Sequence, residues 1–252
     1  MNYFVYLFGL LAVLSAAFKP FLIISFLIII HEIGHFIVAK TLKVEVDKIY
    51  LYPLGGISKF FLPLNSSFTK EILILIAGPI TQIIGATILI KLFPNDYEII
   101  LNYNRGILIF NLLPIYPLDG GKLIQLIISK LLPFKTSLKS SIIISYIMVF
   151  FYFLLNYNNL NISVVLIIIF LIYKITEEKS KISYTYEKFI LERNLNNYNF
   201  KKSKLITNDK NFYKNKRHLI KKDGIYYLEK EYLEKKYKKT QKNVDNKKSA
   251  ML

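Results

Sequence analysis

The chain has no cysteine and no tryptophan, only three histidines, and half as many acidic as basic residues, 17 Asp+Glu against 34 Lys+Arg in 252 residues. Without cysteine there is no disulfide and no thiolate metal site, and the redox compartment stays open. Three histidines leave room for one histidine-based metal centre and hardly for a second. Carboxylates are also scarce before residue 174, where seven face twelve basic residues. No internal repeat is present, which argues against the paired halves of many transporters. What the chain has in quantity is apolar residues, 53% of the total with a mean hydropathy of +0.36, gathered in long blocks. That composition predicts an integral membrane protein rather than a soluble domain with a large core.

Apolar segments near 4–18, 21–39, 72–93, 106–118, 141–156 and 160–173 predict about six transmembrane helices, some shorter than the ~20 residues a simple span needs. Segment 4–18 has no basic stretch before it and no small-residue cleavage site after it, so it reads as a retained span rather than a signal peptide. Lysines mark one side. Lys40, Lys43, Lys48, Lys59 and Lys70 lie in the 40–70 connection, and Lys122, Lys130, Lys135 and Lys139 lie in the 119–140 connection. The remaining connections are poor in charge. By the positive-inside rule both termini are expected in the cytoplasm. Between the second and third spans, Ile49 to Phe61 reads as two short strands about Gly55-Gly56, a hairpin that would dip into the bilayer only beside a wet cavity. The expected fold is thus an all-α integral membrane domain over 1–176 with a short re-entrant β-hairpin, followed by a basic cytoplasmic tail over 177–252.

Inside the second apolar run stands His31-Glu32-Ile33-Gly34-His35. On a helix, positions i and i+4 lie on one face, so the two imidazoles converge on one ion with Glu32 beside them. This is the zincin arrangement, with two histidines for Zn²⁺ and a carboxylate as general base toward water. A catalytic zinc takes a third protein ligand and keeps one open position. With no further histidine in a span, that ligand must be a carboxylate from Glu45, Asp47, Glu71, Asp96, Glu98 or Asp119. Depth favours Asp119. Counted at about 1.5 Å per residue from the outer ends of the second and fourth spans, His35 and Asp119 both lie ~21 Å down. The plainer reading of Asp119 is a turn residue before Gly120-Gly121.

The histidine motif, together with Asn111-Leu112-Leu113-Pro114-Ile115-Tyr116-Pro117-Leu118-Asp119-Gly120-Gly121, resembles the site-2 protease family of intramembrane zinc metalloproteases. The resemblance implies one Zn²⁺ per chain on His31, His35 and Asp119, with Glu32 as catalytic base. It also implies Asn111, Gly55 and Gly56 as substrate-binding positions, the hairpin offering an edge for strand addition. Within the family the chain most resembles the stage IV sporulation branch. That branch cleaves a membrane-associated sigma-factor precursor in the mother-cell membrane around the forespore, a setting that leaves room for inhibitory membrane partners. Many members of the branch end in a CBS domain, and the short basic tail gives no ground for claiming one here.

In the tail, Lys and Tyr interleave from Gly224 to Lys239 with apolar positions at 225, 228, 232 and 233. This predicts a basic amphipathic helix facing anionic lipid, nucleic acid being a poor partner with no recognisable fold behind it. His218, beside Arg217, is expected to be an exposed bystander. Beside the sporulation reading stands a general site-2 protease that cuts a membrane-anchored signalling protein, and two other function classes compete: a multi-span metal-binding transporter, and a catalytically silent binding protein, against which the intact Glu32 speaks.

Overall fold

The computed structural model describes residues 18–52, 55–61, 63–200, 202–208 and 210–238, with backbone alone for 45–61. The span expected over 4–18 lies outside the described residues except for Phe18. The order is α1 (Phe18–Thr41), β1 (Glu45–Tyr52), β2 (Gly55–Phe61), α2 (Phe68–Leu92), a short 3₁₀ turn (Pro94–Asp96), α3 (Tyr97–Leu112), α4 (Asp119–Leu131), α5 (Phe134–Leu155), another 3₁₀ turn (Tyr157–Asn159), α6 (Ile162–Leu195), β3 (Ser203–Ile206), β4 (Arg217–Lys222) and β5 (Ile225–Leu228). Residues 229–238 are again helical.

Three of these helices, α1, α2 and α5, are long and apolar enough to cross a membrane. They are built in the manner of membrane helices. Large apolar side chains such as Leu22, Ile37, Ile84, Ile88, Ile143 and Phe150 point outward, where only lipid can accept so continuous a surface. Small and polar residues point inward: Ala77, Gly78, Gln82, Gly85 and Ala86 on α2, and Ser137, Ser141 and Ser145 on α5. Small side chains let helices approach closely where no water-driven force gathers them, and the Thr81 hydroxyl of α2 donates to the Ile30 carbonyl of α1 at 3.2 Å. Helices of this design mark an integral membrane protein.

The six-span expectation is met in part. Segment 106–118 is not one helix, because α3 ends at Leu112 and the chain is irregular through Leu118. A prolyl ring at Pro114 and another at Pro117 lack the N–H that a continuing helix would use. The last apolar segment opens a 34-residue helix that runs on through charged residues to Leu195. The boundary expected near residue 176 therefore falls within α6.

The chain forms two compact units. Of the described residues, one takes in those within 18–61, 66–114 and 118–123, and the other those within 63–65, 115–117 and 124–238. In the first, β1 and β2 pair antiparallel as expected, with Leu51 opposite Gly56 and Tyr52 opposite Gly55. A small apolar core gathers Ile23, Leu27, Ala86 and Ile100.

The second unit corrects the reading of the tail. The fold is not all-α apart from the hairpin, because β3, β4 and β5 form a three-stranded mixed sheet, with β3 parallel and β5 antiparallel to β4. Residues 225–228 are strand and only 229–238 are helix, so the single amphipathic helix expected over 224–239 is replaced, among the described residues, by a strand followed directly by a helix. The positive φ of Asp223 and Gly224, +52° and +79°, makes the tight β4–β5 turn that an Asp-Gly pair favours. Phe134, Leu138, Tyr186, Phe189, Ile190, Ile206, Phe212, Ile220 and Leu233 close one core that joins α5, α6 and the sheet.

His218 is not a bystander: it is 0% exposed. Its Nε2 accepts from the Tyr213 N–H at 2.9 Å, so Nδ1 carries the proton and donates to Glu229 at 2.9 Å. Burial holds the imidazole below its ordinary pKa despite the carboxylate beside it. Burial alone would raise Glu229, but its bonds to His218 and Arg193 outweigh that and hold it below the usual range. Arg193 is the hub of the cluster. Its Nε donates to Asn65 Oδ1 at 2.6 Å, and its four terminal N–H groups go to Glu229 and to the carbonyls of Lys216, Tyr213 and Lys214.

Candidate metal centre

The three residues of the centre come from two helices of the first unit. His31 and His35 project from one face of α1 and Asp119 opens α4; all three are buried. His31 Nε2 and His35 Nε2 each lie 3.0 Å from Asp119 Oδ2 and 3.1 Å from one another. Ligand atoms of these three residues form a group that could hold a metal ion.

The outward-facing nitrogens decide what the inward-facing ones can do. His35 Nδ1 is 2.7 Å from the Ile74 carbonyl, which only accepts, so Nδ1 bears the proton. His31 Nδ1 is 3.0 Å from Gln82 Oε1. Gln82 Nε2 faces two acceptors of Asn104, the carbonyl at 3.2 Å and Oδ1 at 3.0 Å, which fixes the amide with its oxygen toward His31. In the neutral rings both Nε2 atoms are therefore bare lone pairs aimed at a carboxylate oxygen. Three acceptors converge with no donor among them, an arrangement that a cation completes. Their separations are near the ~3.3 Å edge of a tetrahedral site with bonds of about 2.0–2.1 Å. The donor set of two imidazoles and a carboxylate fits zinc, and a small outward relaxation would seat it.

Backbone approach shapes the rest. A Cβ on Gly78 would collide with His35 Nε2 and stand 2.8 Å from His31 Nε2, so α2 can pass this close only with glycine there. A Cβ on Gly120 would collide with the Leu112 carbonyl, so glycine lets the start of α4 turn back beside the end of α3. Asp119 thus reaches the histidines from the first turn of α4 and not, as the depth count assumes, from the end of a continuous fourth span. Lys122 Nζ sits 3.4 Å from the other carboxylate oxygen, Oδ1.

The remaining expected site residues are placed as follows. Glu32 is half-buried on α1, next to His31. Asn111 is half-buried in the last turn of α3 and makes no hydrogen bond to His31, His35 or Asp119 among the described residues. Gly55 and Gly56 begin β2. Sequence reasoning passes over Gln82 and Asn104. The available signal is an amide in the middle of an otherwise apolar helix, which is costly unless it has partners.

Comparison with known proteins bears on the same region. The pattern of peptidase family M50 matches residues 20–96 and 97–155, a stretch that takes in both histidines and Asp119. Stage IV sporulation protein FB of Bacillus subtilis is 32% identical over 200 residues, covering 75% of this chain and 69% of that protein. A zinc metalloprotease of Methanocaldococcus jannaschii is 31% identical over 173 residues, 64% of this chain and 49% of its own. The solved site-2 protease from Methanocaldococcus jannaschii superimposes with a TM-score of 0.56 at 26% identity, over 69% of this chain and 85% of that one. On the extent of the family match and the coverage of the Bacillus relative, this chain belongs to peptidase family M50, the site-2 proteases.

Proposed function

We propose that the protein is a membrane-embedded zinc endopeptidase that holds one Zn²⁺ on His31, His35 and Asp119 and hydrolyses a peptide bond of a membrane-associated regulatory protein. The observation that carries this reading is the convergence of three acceptor atoms within 3.0–3.1 Å of each other, with both imidazoles locked in the tautomer that bares Nε2. Bound there, zinc would supply Lewis acidity toward the scissile carbonyl. Glu32, one residue from His31 and half-buried, takes the proton from the attacking water and hands it to the leaving nitrogen. Asn111 and the β2 edge at Gly55-Gly56 hold the substrate, which must present extended backbone because a helix hides its peptide bonds.

The similarity to a stage IV sporulation protein supports a sporulation sigma-factor precursor as the substrate class, processed in the mother-cell membrane around the forespore. Lysines in the 40–70 and 119–140 connections support cleavage near the cytoplasmic face and cytoplasmic termini. Other membrane proteins would act on it as inhibitors, and the basic tail would meet anionic lipid.

The test is purified full-length protein with such a sigma-factor precursor as substrate. Glu32→Gln is expected to keep zinc and to lose cleavage by about 10²–10⁴-fold. Asp119→Ala is expected to lose zinc as well. An active Glu32→Gln variant would remove the base assignment, and Asp119→Ala with full zinc would remove the ligand assignment.

A further inference from the structure

We propose that Gln82, held by Asn104, is a positioning residue that sets the tautomer of His31 and so tunes metal affinity, an inference that rests on the metal reading above. The relay crosses three helices of one unit: His31 on α1, Gln82 on α2 and Asn104 on α3. Gln82 is 0% exposed and Asn104 7%. An amide in so apolar a place is tolerated only when its groups are paired, and here both Nε2 protons are spent on Asn104 while Oε1 faces His31 Nδ1 at 3.0 Å.

That geometry does more than satisfy Gln82. Turned over, the amide would set its oxygen against the Asn104 backbone carbonyl, which has no proton to offer, so the orientation with Oε1 toward His31 is favoured. With Oε1 fixed outward, His31 Nδ1 must carry the proton and Nε2 must present its lone pair to the centre. His35 obtains the same result from the Ile74 backbone carbonyl, which no side-chain change alters. The two ligands therefore differ: the tautomer of His35 belongs to the fold, and that of His31 belongs to a side chain. The use of an amide where many metal sites place a carboxylate also fits this setting. Asp119 already brings a buried carboxylate and Glu32 stands alongside, so a further negative charge in an apolar helix pair would be costly.

The experiment uses full-length protein in detergent and measures zinc affinity by competition with a chromophoric chelator, for wild type, Gln82→Leu, Gln82→Glu and Asn104→Ala. Gln82→Leu is expected to weaken zinc binding about 10–100-fold. Gln82→Glu keeps an acceptor against His31 Nδ1 and is expected to recover most of that loss. Asn104→Ala removes Oδ1 but leaves the backbone carbonyl of residue 104 to hold the amide, so it is expected to fall between, nearer to wild type. If the residue merely tied α2 to α3, Gln82→Glu would be as damaging as Gln82→Leu, since both lose the bonds to Asn104.

A second readout follows the tautomer itself. Only three histidines exist, so ¹⁵N-histidine spectra after zinc withdrawal contain three rings. His31 is expected to be protonated on Nδ1 in wild type and to become a mixture in Gln82→Leu, with a smaller change in Asn104→Ala. Wild type that takes up no zinc would overturn the metal reading and this one with it. Wild type and Gln82→Leu with equal affinity, or an unchanged His31 tautomer, would overturn this inference alone. Should Gln82→Leu fail to fold, Gln82→Ala, which also removes the acceptor facing His31 Nδ1, decides through the same two measurements.

Discussion

The molecule buries two clusters built from similar groups, and they differ in completeness. In the tail unit, Arg193 places every N–H on an acceptor, Glu229 is met by Arg193 and His218, and His218 uses both ring nitrogens. In the other unit, His31, His35 and Asp119 bring three acceptors together with nothing to donate between them. The first cluster closes on itself and holds a fold; the second, with both rings neutral, gathers acceptors that could hold a metal ion. Burial and polarity alone would not separate a structural from a chemical cluster. The count of donors against acceptors does.

The sharpest way to break this comparison is Gly78→Ala. The added methyl would stand on both Nε2 atoms, so essentially all zinc and zinc-dependent cleavage should be lost, while protease resistance of residues 203–238 stays as in wild type. Metal analysis beside limited proteolysis reads both halves at once. Loss of the tail's resistance in this variant would show the clusters to be coupled.

Next in size is Arg193→Met. It strands Glu229 as an uncompensated buried charge, and truncating one partner of such a pair costs about 3–5 kcal/mol. Hydrogen exchange of residues 203–238 should rise accordingly, with zinc content unchanged. An unaltered exchange pattern would mean that the cluster holds nothing.

Acid should separate the two regions further. His218 is held below its ordinary value of 6.5 by burial, so the folded tail prefers the neutral ring. Its contribution is fully present above the unfolded pKa and is lost as pH falls from about 6.5 toward the folded value. Glu229 is also held below its ordinary value of 4.5, so its contribution is lost at lower pH still, as pH falls through its folded pKa. Urea unfolding of the tail in the full-length protein, followed from pH 8 to pH 3, should show stability declining on acidification. His218→Gln should remove the decline near pH 6 and leave the later one, and a decline that survives in that variant would point to another group.

The smallest effect is expected at Lys181→Ala. Lys181 bridges Glu177 and Glu178 at 2.7 and 2.9 Å, but its side chain is 46% exposed. Such surface pairs contribute about 0–1 kcal/mol, so the unfolding midpoint should barely move. A large shift would place α6 in a less watery setting than its exposure indicates.

Much of the metal centre is legible in the amino-acid order. His31 and His35 share a helix face by spacing alone, and their apolar surroundings make a functional reading reasonable. Asp119 is reached by elimination, through a helix that in fact stops at Leu112, because depth counted along an unbroken span cannot anticipate a chain that turns back at Gly120. Gln82 escapes notice because its partner Asn104 lies 22 residues on in another helix. The tail misleads for a related reason. Around His218 the alternation of Arg217, Leu219 and Lys221 against His218 and Ile220 has the period of a strand, but the Lys and Tyr that follow suit a helix equally well. The residue that buries His218's neighbourhood, Arg193, comes from the end of α6, and nothing local announces it.

Asn65 carries a consequence for the order in which the molecule is made. It lies four residues after β2 and two before the α2 cap, and Arg193, 128 residues later, grips its side chain. Arg193 is in turn steadied by Tyr213, Lys214, Lys216 and Glu229. During synthesis α1 and α2 leave the ribosome long before any of those groups exist. Asn65 also donates to the Phe189 carbonyl at 2.9 Å and to Glu192 at 3.3 Å, so its partners exist only once α6 is made, and a nascent chain stalled short of residue 189 would carry both histidines while Asn65 still waits for them.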